Sequence, residues 1–168
     1  VSQPPQKMKT LIQRVTSASV SVGDEVVGRI GPGLVVFIGV ARDDSQEDAH
    51  YLANKITNLR IFAHKASEFA LSALETKGEI LIVSQFTLLA NSRKGRRPSF
   101  TDAAAPDKAR ELYDFFIEQV RSTGLKVETG TFQEHMLVDI HNVGPVTLLL
   151  ESKNKRKSSN CISNLSLF

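Results

Sequence analysis

Gly31-Pro32-Gly33-Leu34-Val35-Val36-Phe37-Ile38-Gly39-Val40 decides how the rest of the chain is read. Gly31-Pro32-Gly33 breaks any preceding element, and the Val-, Ile- and Phe-rich run behind it is the signature of a buried strand. Upstream, residues 11–15 and 17–22 are strand-like and meet Glu25–Ile30 through Gly23-Asp24, a turn pair at a hairpin tip. Downstream, Ser45 offers an N-cap, and Ala49, Leu52, Ala53, Ile56 and Leu59 recur at helical spacing. Residues 60–63 and 79–85 read as strands around a polar excursion, 64–78. Pro106 suits the first turn of a second helix, whose apolar face is Ala109, Leu112, Tyr113, Phe116, Ile117 and Val120, with Gly124 as its C-cap. Residues 125–128, 136–141 and 146–150 complete about eight strands against two main helices. The order hairpin, strand, helix is not a repeated βαβ, so the expectation is an α+β domain whose mixed sheet curves strongly toward a barrel.

The 168 residues, 41% of them hydrophobic, suit one globular domain and not a disordered chain. The longest apolar run, 34–41, is under half of the ~20 residues that cross a bilayer. No long apolar stretch follows Lys7 and Lys9, so no secretory signal is visible. Cys161 is the sole cysteine, which excludes an intrachain disulfide and a cysteine-based zinc site and points to a reducing, cytoplasmic compartment. The formal charge of +3 belongs to the ends of the chain. Setting aside Lys7, Lys153, Lys155, Arg156 and Lys157 leaves the remaining body slightly acidic. A nucleic-acid partner must therefore meet a local patch or the tail. Residues 1–7 read as a disordered leader, 8–151 as the domain, and 152–168 as a basic flexible tail.

No Gly-x-Ser-x-Gly elbow, paired-histidine zinc helix or P-loop is present. His135, Asp139 and His141 alternate with Met136, Val138 and Ile140, so on a strand they share one face. That face suits either zinc or plain solvent. Ser84-Gln85-Phe86-Thr87 carries an apolar strand into hydroxyl and amide groups, but residues 80–92 contain no His, Lys or carboxylate to activate a hydroxyl. Asn142-Val143-Gly144-Pro145-Val146-Thr147 reads as a turn between strands. Arg93, Lys94, Arg96 and Arg97 form the one dense basic cluster of the body, which is either a solvated loop or a phosphate contact.

In the order they occur, six segments resemble the D-aminoacyl-tRNA deacylase family, formerly called D-tyrosyl-tRNA deacylases. They are Gln13-Arg14-Val15 with Ala18-Ser19-Val20, Ile30-Gly31-Pro32-Gly33-Leu34, Arg60-Ile61-Phe62, Val83-Ser84-Gln85-Phe86-Thr87-Leu88, Lys94-Gly95-Arg96-Arg97-Pro98-Ser99-Phe100, and Asn142-Val143-Gly144-Pro145-Val146-Thr147. The resemblance implies a homodimer, without cofactor or metal, that hydrolyses the ester between a D-amino acid or glycine and the terminal adenosine of tRNA. Ser84, Gln85, Phe86 and Thr87 would surround the ester, with the Phe86–Thr87 backbone at its carbonyl oxygen. Gly144 and Pro145, joined by a cis bond and inserted from the other subunit, would receive the amino group and fill the space an L side chain needs. Arg14 would fix that segment and Met136 would pack beside it. The 2′-hydroxyl of the adenosine would help activate water, with Thr87 as covalent nucleophile the alternative. Lys94, Arg96 and Arg97 would hold the tRNA.

Three departures from the family pattern touch the pocket rim: Val143 in place of Asp, Gln133-Glu134 in place of Gly-Ala, and residues 64–69 in place of an acidic, glycine-containing loop. Two competing readings are a nucleic-acid-binding protein of the same fold, using the tail and residues 93–97, and a zinc hydrolase built on His135, Asp139 and His141.

Overall fold

The computed structural model describes residues 4–152. In chain order the elements are β1 (Lys9–Val22), β2 (Glu25–Ile30), β3 (Gly33–Gly39), α1 (Gln46–Asn58), β4 (Phe62–His64), β5 (Ser67–Leu71), α2 (Ala73–Thr76), β6 (Glu79–Ser84), α3 (Pro106–Arg121), β7 (Val127–Thr129) and β8 (Met136–Glu151). Two strand segments expected before Gly23 are one strand, β1. Thr16 falls at a shift of register with β8, not at a break.

β1 organises the sheet. Along one edge its first half pairs antiparallel with β3 and its second half with β2, while β8 runs antiparallel along the other edge. β3 then pairs in parallel with β6, and β6 with β7. Parallel strands are covered on both faces, which is why β3 and β6 read as unbroken apolar runs. Val36, Ile38, Ile80 and Ile82 belong to the core shared with α1 and α3. Their neighbours Val35, Leu81 and Val83 face a second core with Val15, Ala18, Val20 and Ile30, enclosed by the curl of the sheet. β2 and β7 nearly close the barrel: a Cβ at Gly28 would stand 2.9 Å from the Thr129 carbonyl oxygen, so glycine is what permits the approach.

Ser45 precedes α1 as expected, its N–H donating to the Asp48 carboxylate at 2.8 Å. Pro106 opens α3, but the C-cap is Ser122, and Gly124, at φ +88°, turns the chain just beyond it. The excursion 64–78 is more regular than its polar composition suggests. It holds part of the separate β4–β5 hairpin and the one-turn helix α2, whose Ser72 and Glu75 form a reciprocal cap. Besides the two main helices, α1 and α3, the described residues thus hold this third, one-turn helix. β6 ends at Ser84 and the chain enters a 3-10 turn, Phe86–Leu89, where a strand was expected to continue. β8 runs without interruption through Gly144 and Pro145, absorbing the irregularity as register shifts against β1.

At the ends, Gln6 donates to Asp102 at 3.0 Å and accepts from Lys9 at 2.9 Å. Ser152 is buried, and its N–H reaches the Met8 carbonyl at 3.0 Å, so it is built into the body, not the tail. Residues 1–3 and 153–168, including Lys153, Lys155, Arg156, Lys157 and Cys161, lie outside the described residues. No described helix is long and apolar enough to cross a membrane.

Candidate functional site

The end of β6 is held firmly. Ile82 accepts from the Tyr113 hydroxyl and from the Gly130 N–H, each at 3.1 Å, and the Gln85 N–H donates to Ile38 at 2.8 Å. Burial pushes the Tyr113 phenol well above its ordinary range, so it stays a neutral donor. Beyond this anchor the chain tightens into the 3-10 turn. A helix start leaves its first N–H groups, those of Phe86 and Thr87, without intrahelical acceptors.

A cleft of about 630 Å3 opens here, walled by Ser84, Gln85, Phe86, Phe100, Phe132 and Met136. The structure thus gathers Ser84, Gln85, Phe86 and Met136 in one place. Thr87 is exposed and is not among the residues of this wall, and its hydroxyl accepts from the Gln85 amide. The ionisable side chains on the cleft wall are Glu134 and His135, both exposed. Phe132 was not singled out from sequence, because no local pattern ties it to β6.

Gly144 and Pro145 are not in this wall. They lie eight and nine residues beyond Met136 along β8, roughly 25–30 Å at the rise of an extended strand. The Gly144–Pro145 peptide is cis, Gly144 has φ +121°, and both residues are exposed. Beneath them Arg14, only 7% exposed, spreads its guanidinium. Nε donates to the Val143 carbonyl at 3.2 Å, and Nη1 to the carbonyls of Ile61 (3.0 Å) and Glu68 (3.2 Å). Nη2 meets the Glu68 carboxylate at 3.1 Å. Asn142 adds a brace, accepting from the Val146 N–H at 3.2 Å and donating to the Thr147 hydroxyl at 2.9 Å. The Arg14–Glu68 pairing has no signature in the sequence.

The basic cluster sits on a loop closed at its stem. Asn91 and Ser99 exchange two backbone hydrogen bonds of 2.8 and 2.9 Å, and all four cations of residues 93–97 are exposed. Phe100, next in the chain, stands edge-on to Phe86 with 5.0 Å between ring centroids. The loop is therefore joined to the cleft wall.

His135, Asp139 and His141 are exposed, while Met136, Val138 and Ile140 pack against the second core. His141 Nε2 approaches Asp139 Oδ1 to 3.6 Å. Among the described residues, no three His, Cys, Asp or Glu side chains converge into a metal-binding group.

The family model described as D-Tyr-tRNA(Tyr) deacylase matches residues 11–151. A D-aminoacyl-tRNA deacylase of Fervidobacterium nodosum is 55% identical over 146 residues, covering 87% of this chain and 98% of the relative. That of Desulforamulus reducens is 54% identical with the same coverage. Among solved structures, one titled c-Myc DNA Unwinding Element Binding Protein is 40% identical with a TM-score of 0.82, over 87% of this chain and 99% of that one. A probable eukaryotic D-amino acid tRNA deacylase, 23% identical with a TM-score of 0.78, shares the fold over 87% of this chain and all of its own.

Proposed function

The chain belongs to the D-Tyr-tRNA(Tyr) deacylase family, and from that premise we propose that it hydrolyses D-aminoacyl-tRNA, and glycine esterified to tRNA, as a homodimer in the cytoplasm. Family membership over nearly the whole body carries this reading. Support for a shared site comes from the placement of Gly144 and Pro145, exposed and far along β8 from the cleft of their own chain. In the dimer each protomer would set these residues into the cleft of the other.

The terminal adenosine and its aminoacyl ester enter between Ser84–Thr87 and Met136. Water, activated with the help of the adenosine 2′-hydroxyl, adds to the ester carbonyl carbon. The free N–H groups of Phe86 and Thr87 receive the developing oxyanion, an arrangement that is strongest where water is excluded. Collapse breaks the bond to the ribose oxygen, which leaves as the tRNA hydroxyl with a proton, and the amino acid departs as its carboxylate. The Gly144 and Pro145 carbonyls accept from the substrate ammonium and occupy the corner where an L side chain would point. A hydrogen fits there and a carbon does not. Lys94, Arg96 and Arg97 contact tRNA phosphates, adding affinity without reading sequence.

Purified protein supplied with matched D- and L-tyrosyl-tRNA tests this. Release of D-tyrosine alone is expected; equal release of both hands overturns the selection mechanism. Release of neither favours the second reading, a nucleic-acid-binding protein of this fold, for which the exposed cations of residues 93–97 are the specific support. Under that reading, truncation after Glu151 costs affinity; under the first it leaves hydrolysis unchanged.

A further inference from the structure

We infer that Glu68 is a positioning residue for Gly144 and Pro145, acting through Arg14 to sharpen discrimination between D- and L-aminoacyl esters; this rests on the selective role given to those two residues above. The guanidinium of Arg14 is a strap with two ends. One end grips β8 at the Val143 carbonyl, and Nη2 lies against the next residue: a Cβ at Gly144 would come within 2.8 Å of it. The other end grips the β4–β5 region through the carbonyls of Ile61 and Glu68 and the Glu68 carboxylate. That hairpin forms its own two-stranded sheet, with no ladder to the main one. Arg14 therefore ties Glu68 to Gly144.

Arg14 is 7% exposed, so its guanidinium needs a counter-charge, and among the described residues Glu68 supplies the one carboxylate paired with it. The Glu68 side chain is itself 68% exposed, on the water side of the pair. Without its carboxylate, the shortest route to solvation for Arg14 is outward past position 68. That movement draws Nε off the Val143 carbonyl and frees the segment that follows. Because Glu68 faces water, the effect is graded and the core stays intact. Loss of a partly screened pair corresponds to a change of about two- to five-fold.

The experiment compares wild type with E68Q, E68A and E68K by two readouts, with thermal melts to establish that each variant is folded. Hydrogen–deuterium exchange of the peptide spanning 142–147 is expected to quicken several-fold in E68A and E68K, with E68Q intermediate because it keeps an acceptor. The ratio of kcat/KM for D- over L-tyrosyl-tRNA is expected to fall about two- to five-fold in the same order. Exchange at the wild-type rate in E68A and E68K overturns the positioning role, whatever the activity. Faster exchange with an unchanged ratio overturns the role in discrimination. Failure of the wild type to distinguish the two hands counts against the reading of Gly144 and Pro145, while the exchange measurement still decides whether Glu68 holds them.

Discussion

The ring of Phe100 meets that of Phe86 edge-on, 5.0 Å between centroids and 67° between planes, so the stem of the cationic loop rests on the wall of the cleft. Such contacts contribute about 0.5–1.5 kcal/mol beyond burial. Truncation in F100A removes this contact, unties the loop carrying Lys94, Arg96 and Arg97 and opens the cleft wall beside Phe86. KM for D-tyrosyl-tRNA is expected to rise about three- to ten-fold, while kcat changes less than two-fold. Steady-state kinetics on the full tRNA checks this, and an unchanged KM would show that the loop acts independently of the cleft.

Among the described residues, the Thr87 hydroxyl has the Gln85 amide as its partner and no hydrogen bond to a base. A hydroxyl in that setting is a poor nucleophile. T87A is therefore expected to keep activity within about ten-fold of wild type, as is the E134Q/H135N pair at the cleft wall. A substrate ending in 2′-deoxyadenosine is expected to lose several orders of magnitude. Abolished turnover in T87A together with normal cleavage of the deoxy substrate would transfer the chemistry to the threonine.

Asp44 gives stability a pH dependence. Burial raises its carboxyl from 3.8 to about 6, despite hydrogen bonds from the Met8 N–H at 3.0 Å and the Ala41 N–H at 2.5 Å that favour the charged form. Below pH 3.8 both folded and unfolded chains hold the proton and the contribution is complete. As pH rises toward 6 the unfolded chain releases its proton first, so folding stability falls. The loss is of order 2–3 kcal/mol. Urea unfolding of wild type and D44N between about pH 4 and pH 7 should give diverging curves, the variant lacking this decline. Parallel curves would remove Asp44 as the cause.

How much of this was legible in the sequence follows from how local each signal is. β3 and β6 announce themselves because both faces of each strand are buried, and α1 because Ser45 and the apolar face of Leu52 and Ile56 lie within a few turns. Glu75 three residues after Ser72 was a readable cap for α2, hidden by the polar stretch around it. The halt of β6 at Ser84 was not readable, since Phe86, Thr87, Leu88 and Leu89 suit a strand as well as a 3-10 turn. Within the site, Ser84, Gln85, Phe86 and Met136 line one cleft, while the sequence reading had set Met136 beside Gly144 and Pro145. Phe132 enters through the packing of β7 and α3, and Glu68 pairs with Arg14 across 54 positions of chain. No periodicity encodes a contact of that kind.

The alternation of His135, Asp139 and His141 shows the opposite case, a pattern with a plain cause. Their neighbours Met136, Val138 and Ile140 fill the second core, which turns the polar set outward. Exhaustive chelation is expected to leave hydrolysis unchanged, as is H141A. Activity lost on chelation and restored by zinc would revive the metal reading.

The strongest demand of the proposed mechanism is that cleft and selector come from different chains. Two variants separate them: S84W fills the cleft with bulk, and G144V forces a side chain against Arg14, where a Cβ already lies 2.8 Å from Nη2. Each homodimer is expected to be inactive on D-tyrosyl-tRNA. In a heterodimer isolated through two different tags, one site combines the blocked cleft with the distorted selector, and the other combines the intact cleft with the intact selector. About half of the wild-type activity should return, as two-fold symmetry requires. If each chain served its own cleft, both sites of the heterodimer would carry one defect and activity would stay at the level of the parents.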